Sequence, residues 1–536
     1  MTADRVTRRR RHGRKNGVAV MATVALLTGC GSTVPLASGT NNGTAASSNG
    51  LGGSTSGTAA RGSGVVGPAA PQAATSGSTG GLSGPAATSG AVSAGTGTQP
   101  SQSGPGAMPG TGGSLSGPGV TATTISVGLV YTPAAGAAND AFIGGNKLDP
   151  GDPRDYWGAV INYVNGHGGV AGRRVTPVWY NNSGGGNAQQ QEQATCTYLT
   201  QDHHVFAYLA LSEGADGVFQ ACAEKAGIVN LSTLQTGFVP RDYVRYPHFV
   251  DISDINLVRM GTVTMNGLAA QGYLKGGWNT DLAQPAPGVA KLGVMTYDLR
   301  NYHEAVDRGF SPASKANGTQ VADVRYVSGT DLNTEASDIQ AGILDFKAKG
   351  ITHVVLVDGP AIGSAGTLSI LFPSAAQSAN YYPRLGLNTQ SDPLTTSQGG
   401  FWSDKQAQGG NAVNWFEPIS CFPTCASTTN AAFNLCQKIM TEAAVSVANP
   451  NAALFALSAC DTVFFLQAAV VAGGATINPN TFMAAVDGLG RSYNSPFLLG
   501  SLFGRTSHDG VGAVQYQAYN ASCSCFKNTS GVVYVR

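Results

Sequence analysis

Residues 31 to 120 contain no aromatic residue, and their only charge is Arg61. Built from Gly, Ser, Thr, Ala and Pro with a few Asn, Gln, Val and Leu and one Met, this stretch cannot bury enough apolar surface to offset the chain entropy lost on folding. It reads as a disordered tether, and a flexible chain of about ninety residues has an r.m.s. span of roughly 50 Å. The rest of the chain lacks the marks of several function classes. There is no G-x-S-x-G elbow and no H-E-x-x-H, so two common hydrolase signatures are missing, and His203-His204 reads as a solvated turn before a strand. An enzyme is not expected. Cys421-Phe-Pro-Thr-Cys425 and Cys523-Ser-Cys525 have no second pair or histidines at structural-zinc spacing, so neither a metal nor a cofactor is expected. Nor is there a basic excess. Setting residues 1–29 aside takes Lys+Arg from 31 to 24 and Asp+Glu from 30 to 29, a net charge of −5 that argues against nucleic acid.

What the amino terminus does contain is ordered for export. Arg5, Arg8 to Arg11, Arg14 and Lys15 precede an apolar run from Val18 to Leu27. At about 1.5 Å per residue that run is too short for a hydrocarbon core of roughly 30 Å, so it reads as a cleaved signal segment rather than a permanent span. Leu27-Thr28-Gly29-Cys30 then resembles a bacterial lipobox, which implies cleavage before Cys30, a lipid on its thiol, and a place on the outer face of the cell membrane. The expected organisation is a signal peptide over 1–29 and a linker over 30–120. The remaining 416 residues are long enough for two domains.

From Thr121 onward, apolar strands alternate with helices. Strands are expected at Ile125 to Tyr131, Val175 to Trp179, Val205 to Leu211 and Gly227 to Leu231, with helices at Asp155 to Asn165, Ala188 to Thr200 and Ala215 to Lys225. The grammar restarts with strands at Lys291 to Tyr297, Gln320 to Val327, Thr352 to Val357 and Arg384 to Leu387, separated by helices at Tyr302 to Ala316, Glu335 to Lys349 and Thr367 to Ala379. Two such runs predict an α/β fold of two doubly wound, Rossmann-like lobes with parallel sheets. Helices at Asn430 to Val447 and Ala453 to Ala472 follow, then short strands near Gly512 to Tyr519 and Gly531 to Val535. Lobe 1 is expected over 121–250 with return segments from about 430–475. Lobe 2 is expected over 251–420 with about 476–536.

Several strings within this layout carry a family likeness: Thr124-Ile-Ser-Val-Gly-Leu-Val130, Ile161-Asn-Tyr-Val-Asn-Gly-His-Gly-Gly-Val-Ala-Gly-Arg173, Cys196 before Val205-Phe-Ala-Tyr, Cys222 before Ala226-Gly-Ile, and Ala348-Lys-Gly-Ile-Thr-His-Val-Val355. Together they resemble the type I periplasmic binding proteins of the branched-chain amino-acid kind, the solute receptors of ABC importers. The resemblance covers about residues 121 to 400. It implies two lobes joined by three crossover strands that close on a small polar solute, an amino acid or a related compound, and then engage permease subunits. A ligand-sensing or scaffold lipoprotein without a transport role is the alternative.

Ligand sites in such sheets lie beyond the carboxyl ends of strands. That places Tyr131, Ser212, Ser232 and Thr233 in lobe 1. By resemblance, Ser212 and Thr233 stand where the family holds an α-carboxylate, and Tyr302 stands where it places an aromatic in lobe 2. Asp358 and the stretch Thr389 to Asp392, with Gln390, end later strands. The family's acid for a ligand ammonium has no secure match, with Asp392 and Asp358 as the candidates.

The cysteines besides Cys30 number eight, an even count that suits disulfides outside the cytoplasm, and they permit 105 pairings. Cys196 and Cys222 lie on helices flanking one strand, within reach of a bridge. Cys421 with Cys425 and Cys436 with Cys460 are the next expected pairs, while Cys523 with Cys525 closes a very small ring.

Overall fold

In the computed structural model the apolar run Leu292–Tyr297 is buried along its whole length, as a strand covered by helices on both faces requires. The structure describes residues 116–132, 149–182, 188–213, 217–329, 331–361, 364–365, 367–391, 402–425 and 429–536. The signal segment, Cys30, nearly all of the linker and Asp392 therefore lie outside the described residues.

Lobe 1 alternates strand and helix from its first element: β1 Thr124–Tyr131, α1 Pro153–Gly166, β2 Arg174–Asn181, α2 Ala188–Thr197, β3 Ala207–Glu213, α3 Val218–Ala226, β4 Val229–Thr236, α4 Pro240–Arg245 and β5 Phe249–Asp251. All five strands run parallel, in the order β2-β1-β3-β4-β5. Lobe 2 opens on α5 Leu257–Ala270 and a small hairpin of β6 Gly277–Asn279 with β7 Gln284–Ala286. It continues through β8 Leu292–Tyr297, α6 Arg300–Ala305, α7 Ser311–Ala316, β9 Val321–Val327, α8 Leu332–Ala348 and β10 His353–Leu356. A two-residue pair, β11 Pro360–Ala361 and β12 Ser364–Ala365, precedes α9 Leu368–Ser378, β13 Arg384–Asn388, α10 Asp404–Ala407 and β14 Asn411–Asn414. The chain then returns to lobe 1 for α11 Ala431–Glu442, α12 Pro450–Gly473 and α13 Pro479–Leu489, and ends in lobe 2 with β15 Ala513–Asn520, β16 Cys525–Asn528 and β17 Val533–Tyr534. The second sheet has the order β16-β15-β14-β13-β10-β8-β9, with β17 on β15. Its parallel part, β9-β8-β10-β13-β14, repeats the winding of lobe 1. Both lobes thus have a topological switch point beside their first strand, β1/β3 and β8/β10.

Three segments join the lobes, and they hold one another. Asp251 and Gly510 exchange backbone bonds with neighbours on the facing segment: Asp251 N–H donates to His508 O at 2.8 Å and Gly510 N–H to Asp251 O at 2.7 Å. Gly510 is required there, since a Cβ would sit 1.8 Å from Ile252 O. Trp415 and Glu417 pair with Leu499 and Phe497 in the same manner, and the rings of Phe416 and Phe497 stack at 4.1 Å. Arg259, at the start of α5, ties lobe 2 to this junction through Asp509 at 2.9 Å.

Two boundaries differ from expectation. The segment from about 476 divides: α13 packs on α12 in lobe 1, with Phe482 against Phe206 and Phe465, and only the later strands join lobe 2. Its apolar stripe Phe482, Met483, Val486 and Leu489 needs a partner, and α12 supplies it. Strand β4 also runs on to Thr236, because Leu234 and Thr236 keep pairing with Ser212 and Glu213. Ser232 and Thr233 are accordingly inside the strand, not in the loop after it.

Four disulfides are present among the described residues. Cys196–Cys222 joins α2 to α3 with a Cα separation of 6.2 Å, and Cys436–Cys460 joins α11 to α12 at 5.9 Å. Cys421–Cys425 and the small Cys523–Cys525 ring complete the set.

Candidate functional site

The carboxyl ends of β8, β10 and β13 gather a buried polar cluster. Asp358 follows β10 by two residues and is fully buried. Its Oδ1 accepts from Tyr297 Oη at 2.9 Å and from Gly359 N–H at 2.9 Å, and its Oδ2 accepts from Ser369 N–H at 2.8 Å. Burial raises the Asp358 pKa above the ordinary carboxylate value, and these bonds offset part of the rise. Tyr297 Oη also lies 3.1 Å from Glu335 Oε1, which accepts from Thr367 at 2.6 Å. A phenol has one hydrogen to give, and the two carboxyl groups share it. Asp358 is thus committed to its own lobe, and its carboxylate serves as an anchor for the β10 turn.

Tyr302 and Gln390 meet beside this anchor. A Cβ added at Gly359 would be 2.4 Å from Tyr302 Oη and 3.0 Å from Gln390 Oε1, so both side chains press on that glycine. Tyr302 is fully buried, and burial, with Asp358 and Asp254 nearby, holds its hydroxyl well above the usual phenol value. It is a neutral donor at physiological pH. Gln390, in the turn after β13, donates through Nε2 to Asp254 Oδ2 at 2.5 Å. Asp254 belongs to the first crossover and is 1% exposed. Sequence reasoning did not single it out. Its place in the site arises only when the crossover passes beneath β13, although two acids in Asp251-Ile-Ser-Asp254 between the two strand runs were a usable hint.

Lobe 1 brings its candidates together less closely. Tyr131 ends β1 at the rim, half-buried, edge-on to Trp179 with centroids 6.2 Å apart and with the Arg154 guanidinium 4.2 Å over its ring. Ser212 is next to last in β3, at the switch point. Thr233 Oγ1 donates to the carbonyls of Leu211 at 3.2 Å and Ala210 at 3.4 Å, which ties the strand to its neighbour. The Ser232 hydroxyl is buried with no hydrogen-bond partner among the described residues. The carboxyl end of β4 is Gln235-Thr236. At the amino end of α3, Phe219 N–H donates to Glu192 Oε2 at 3.2 Å, so this helix terminus already receives a carboxylate.

No protein-family model matches the sequence, and no curated protein does. Solved structures with the same architecture do exist. A solute-binding protein of an ABC transporter from Rhodopseudomonas palustris HaA2, in complex with p-hydroxybenzoic acid, superposes with a TM-score of 0.53 at 15% identity, covering 77% of this chain and 97% of that one. A branched-chain amino-acid ABC transporter protein from Thermus thermophilus with bound valine gives 0.51 at 14% identity, covering 77% and 96%. A fatty acid ABC transporter substrate-binding protein from Thermomonospora curvata gives 0.51 at 15% identity, covering 78% and 93%. The likeness defines the fold: the chain has the type I periplasmic binding protein fold.

Proposed function

We propose that this protein is an extracytoplasmic receptor that captures a small solute between its two lobes and delivers it to the permease of an ABC importer. The observation that carries the reading is the convergence of Tyr302, Gln390 and Asp254 at the switch-point end of lobe 2, directly beside the crossovers about which the lobes would close. Tyr302 supplies a donor, Gln390 both a donor and an acceptor, and Asp254 a buried acid able to meet an ammonium. In lobe 1, the strand ends that carry Ser212 and Gln235-Thr236 belong to the proposed site, with Tyr131 at the end of β1. Ser232 and Thr233 support that strand from within. Valine and p-hydroxybenzoic acid, bound in two of the similar structures, and the fatty acids for which the third is named share a carboxyl group, so small carboxylic acids and amino acids are the first class to test. The lipid on Cys30 and the linker hold the receptor to the outer face of the membrane, raising its effective concentration at the permease. A lipid label retained by Cys30→Ala would remove that anchor.

A thermal-shift screen of the mature chain against amino acids, aromatic acids, fatty acids and sugars tests the solute reading. A true solute at about 100 times its Kd stabilises the folded state by about 2.7 kcal/mol, a rise of several degrees. A panel that leaves the transition unmoved counts against it.

A further inference from the structure

Beside the first crossover, α4 of lobe 1 faces α6 of lobe 2, and Asn301 is the centre of the contact. Only 8% exposed, it donates through Nδ2 to Gly237 O at 2.8 Å and to Asp242 Oδ2 at 2.9 Å, both in lobe 1. Its Oδ1 accepts from Arg241 of α4, and Arg241 also pairs with Glu304, one turn further along α6. Two additional bonds fix the partners in place. Asp242 Oδ2 receives Val239 N–H at 3.0 Å and so caps α4, while Glu304 is held from the other side by Arg308.

The chemistry of this seam differs from that of a surface ion pair. The Arg241 and Glu304 side chains are 33% and 14% exposed, and the Asn301 amide finds these partners only when the lobes are together. Opening the seam would return every one of these groups to water. The neighbour of Asn301 is Tyr302, whose hydroxyl faces Gly359 and Gln390. One turn of α6 therefore carries a proposed solute contact and an interlobe contact on adjacent residues.

We infer that Arg241, Asn301 and Glu304 form a clasp that stabilises the closed arrangement and sets solute affinity without touching the solute. The inference rests on the receptor reading. When only the closed form binds tightly, the apparent Kd is the intrinsic Kd divided by the closed fraction. Loosening the clasp lowers that fraction and weakens binding with every solute contact intact. These are positioning residues, and the solute site itself is unchanged by their loss.

Hydrogen–deuterium exchange on the full chain, without added solute, tests the clasp independently of solute identity. In Asn301→Ala and in Arg241→Glu, amides of 236–246 and 298–305 are expected to exchange about tenfold faster than in the wild type, with α1 unchanged. Arg241→Lys, which keeps a cation for Glu304 and a donor for Asn301 Oδ1, should retain most of the protection. With any solute that shifts the wild-type transition, Asn301→Ala and Arg241→Glu should bind about 10- to 50-fold more weakly, and Arg241→Lys should stay close to the wild type. Wild-type exchange rates in Asn301→Ala and Arg241→Glu, or exchange in Arg241→Lys as fast as in Arg241→Glu, would overturn the clasp. A wild type that binds nothing while the exchange differences persist would overturn the receptor reading alone.

Discussion

Lowering the pH from 7 to 5 is expected to stabilise this protein through Asp461, and Asp461→Asn is expected to abolish that share of the gain. Asp461 lies in the middle of the apolar helix α12, fully buried. Its Oδ1 accepts from Tyr493 at 2.5 Å and its Oδ2 from Ser495 at 2.8 Å, both in the third crossover. Burial pushes its pKa from the ordinary 3.8 up to about 6, against the pull of those hydrogen bonds. A carboxyl whose folded value is raised binds a proton more readily when folded. Its stabilising share is complete below 3.8 and is lost as the pH climbs through about 6. The full difference corresponds to about 3 kcal/mol, of which about 1 kcal/mol falls between pH 5 and pH 7. Urea unfolding of wild type and Asp461→Asn at both pH values isolates this residue, because the other titrating groups cancel. The wild type should gain about 1 kcal/mol more than the variant on acidification. A wild-type-minus-variant difference that does not change with pH would refute the assignment. The same acid also ties the third crossover to lobe 1, so its replacement by alanine, which leaves the buried Ser495 hydroxyl without its acceptor and Tyr493 with only the carbonyl of residue 461 at 3.0 Å, should destabilise the junction by roughly 2 kcal/mol.

Gly359→Ala should disable solute capture while leaving the lobes folded. The residue has φ +151°, which an L side chain rarely adopts, and its added methyl would overlap Tyr302 Oη at 2.4 Å. Tyr302 is fully buried and cannot swing into solvent, so it must retreat together with Gln390, 3.0 Å from the same methyl. Loss of both contacts should weaken binding about 100-fold or more, equivalent to about 2.7 kcal/mol. The overpacking itself should lower stability by about 1–3 kcal/mol. Titration calorimetry with a solute found by thermal shift, alongside circular dichroism, separates the two effects. In Gly359→Ala/Tyr302→Phe the clash is relieved, and stability should recover further than affinity. An unchanged Kd in Gly359→Ala would remove Tyr302 and Gln390 from the solute site.

The doubly wound lobes were legible because parallel strands buried on both faces leave unbroken apolar runs, such as Leu292–Tyr297 and His353–Leu356. Elements whose burial depends on distant partners were not. Strand β14 reads Asn-Ala-Val-Asn, too short and polar to stand out, yet all four residues are buried between β13 and β15. The polar tail of β4 looked like a loop because Ser232, Thr233, Gln235 and Thr236 carry no apolar signal; pairing with β3 holds it extended. Helix α13 did have a local signal, an Asn478–Thr481 capping box before its apolar stripe. For the proposed site, the family resemblance pointed to Tyr302 and the strand-end rule to Gln390. It assigned Asp358 a solute role that three donors within lobe 2 already claim. It passed over Asp254 and Asn301, whose partners lie 136 and about sixty residues away in the chain.

The central claim is that two lobes close on a solute, and small-angle X-ray scattering of residues 116–536 tests it most directly. Without the tether, the profile reports the lobes alone. With saturating solute the radius of gyration should fall and the pair-distance distribution should narrow, and Gly359→Ala should show neither change at the same concentration. Identical wild-type profiles with and without a solute that demonstrably binds would contradict the account.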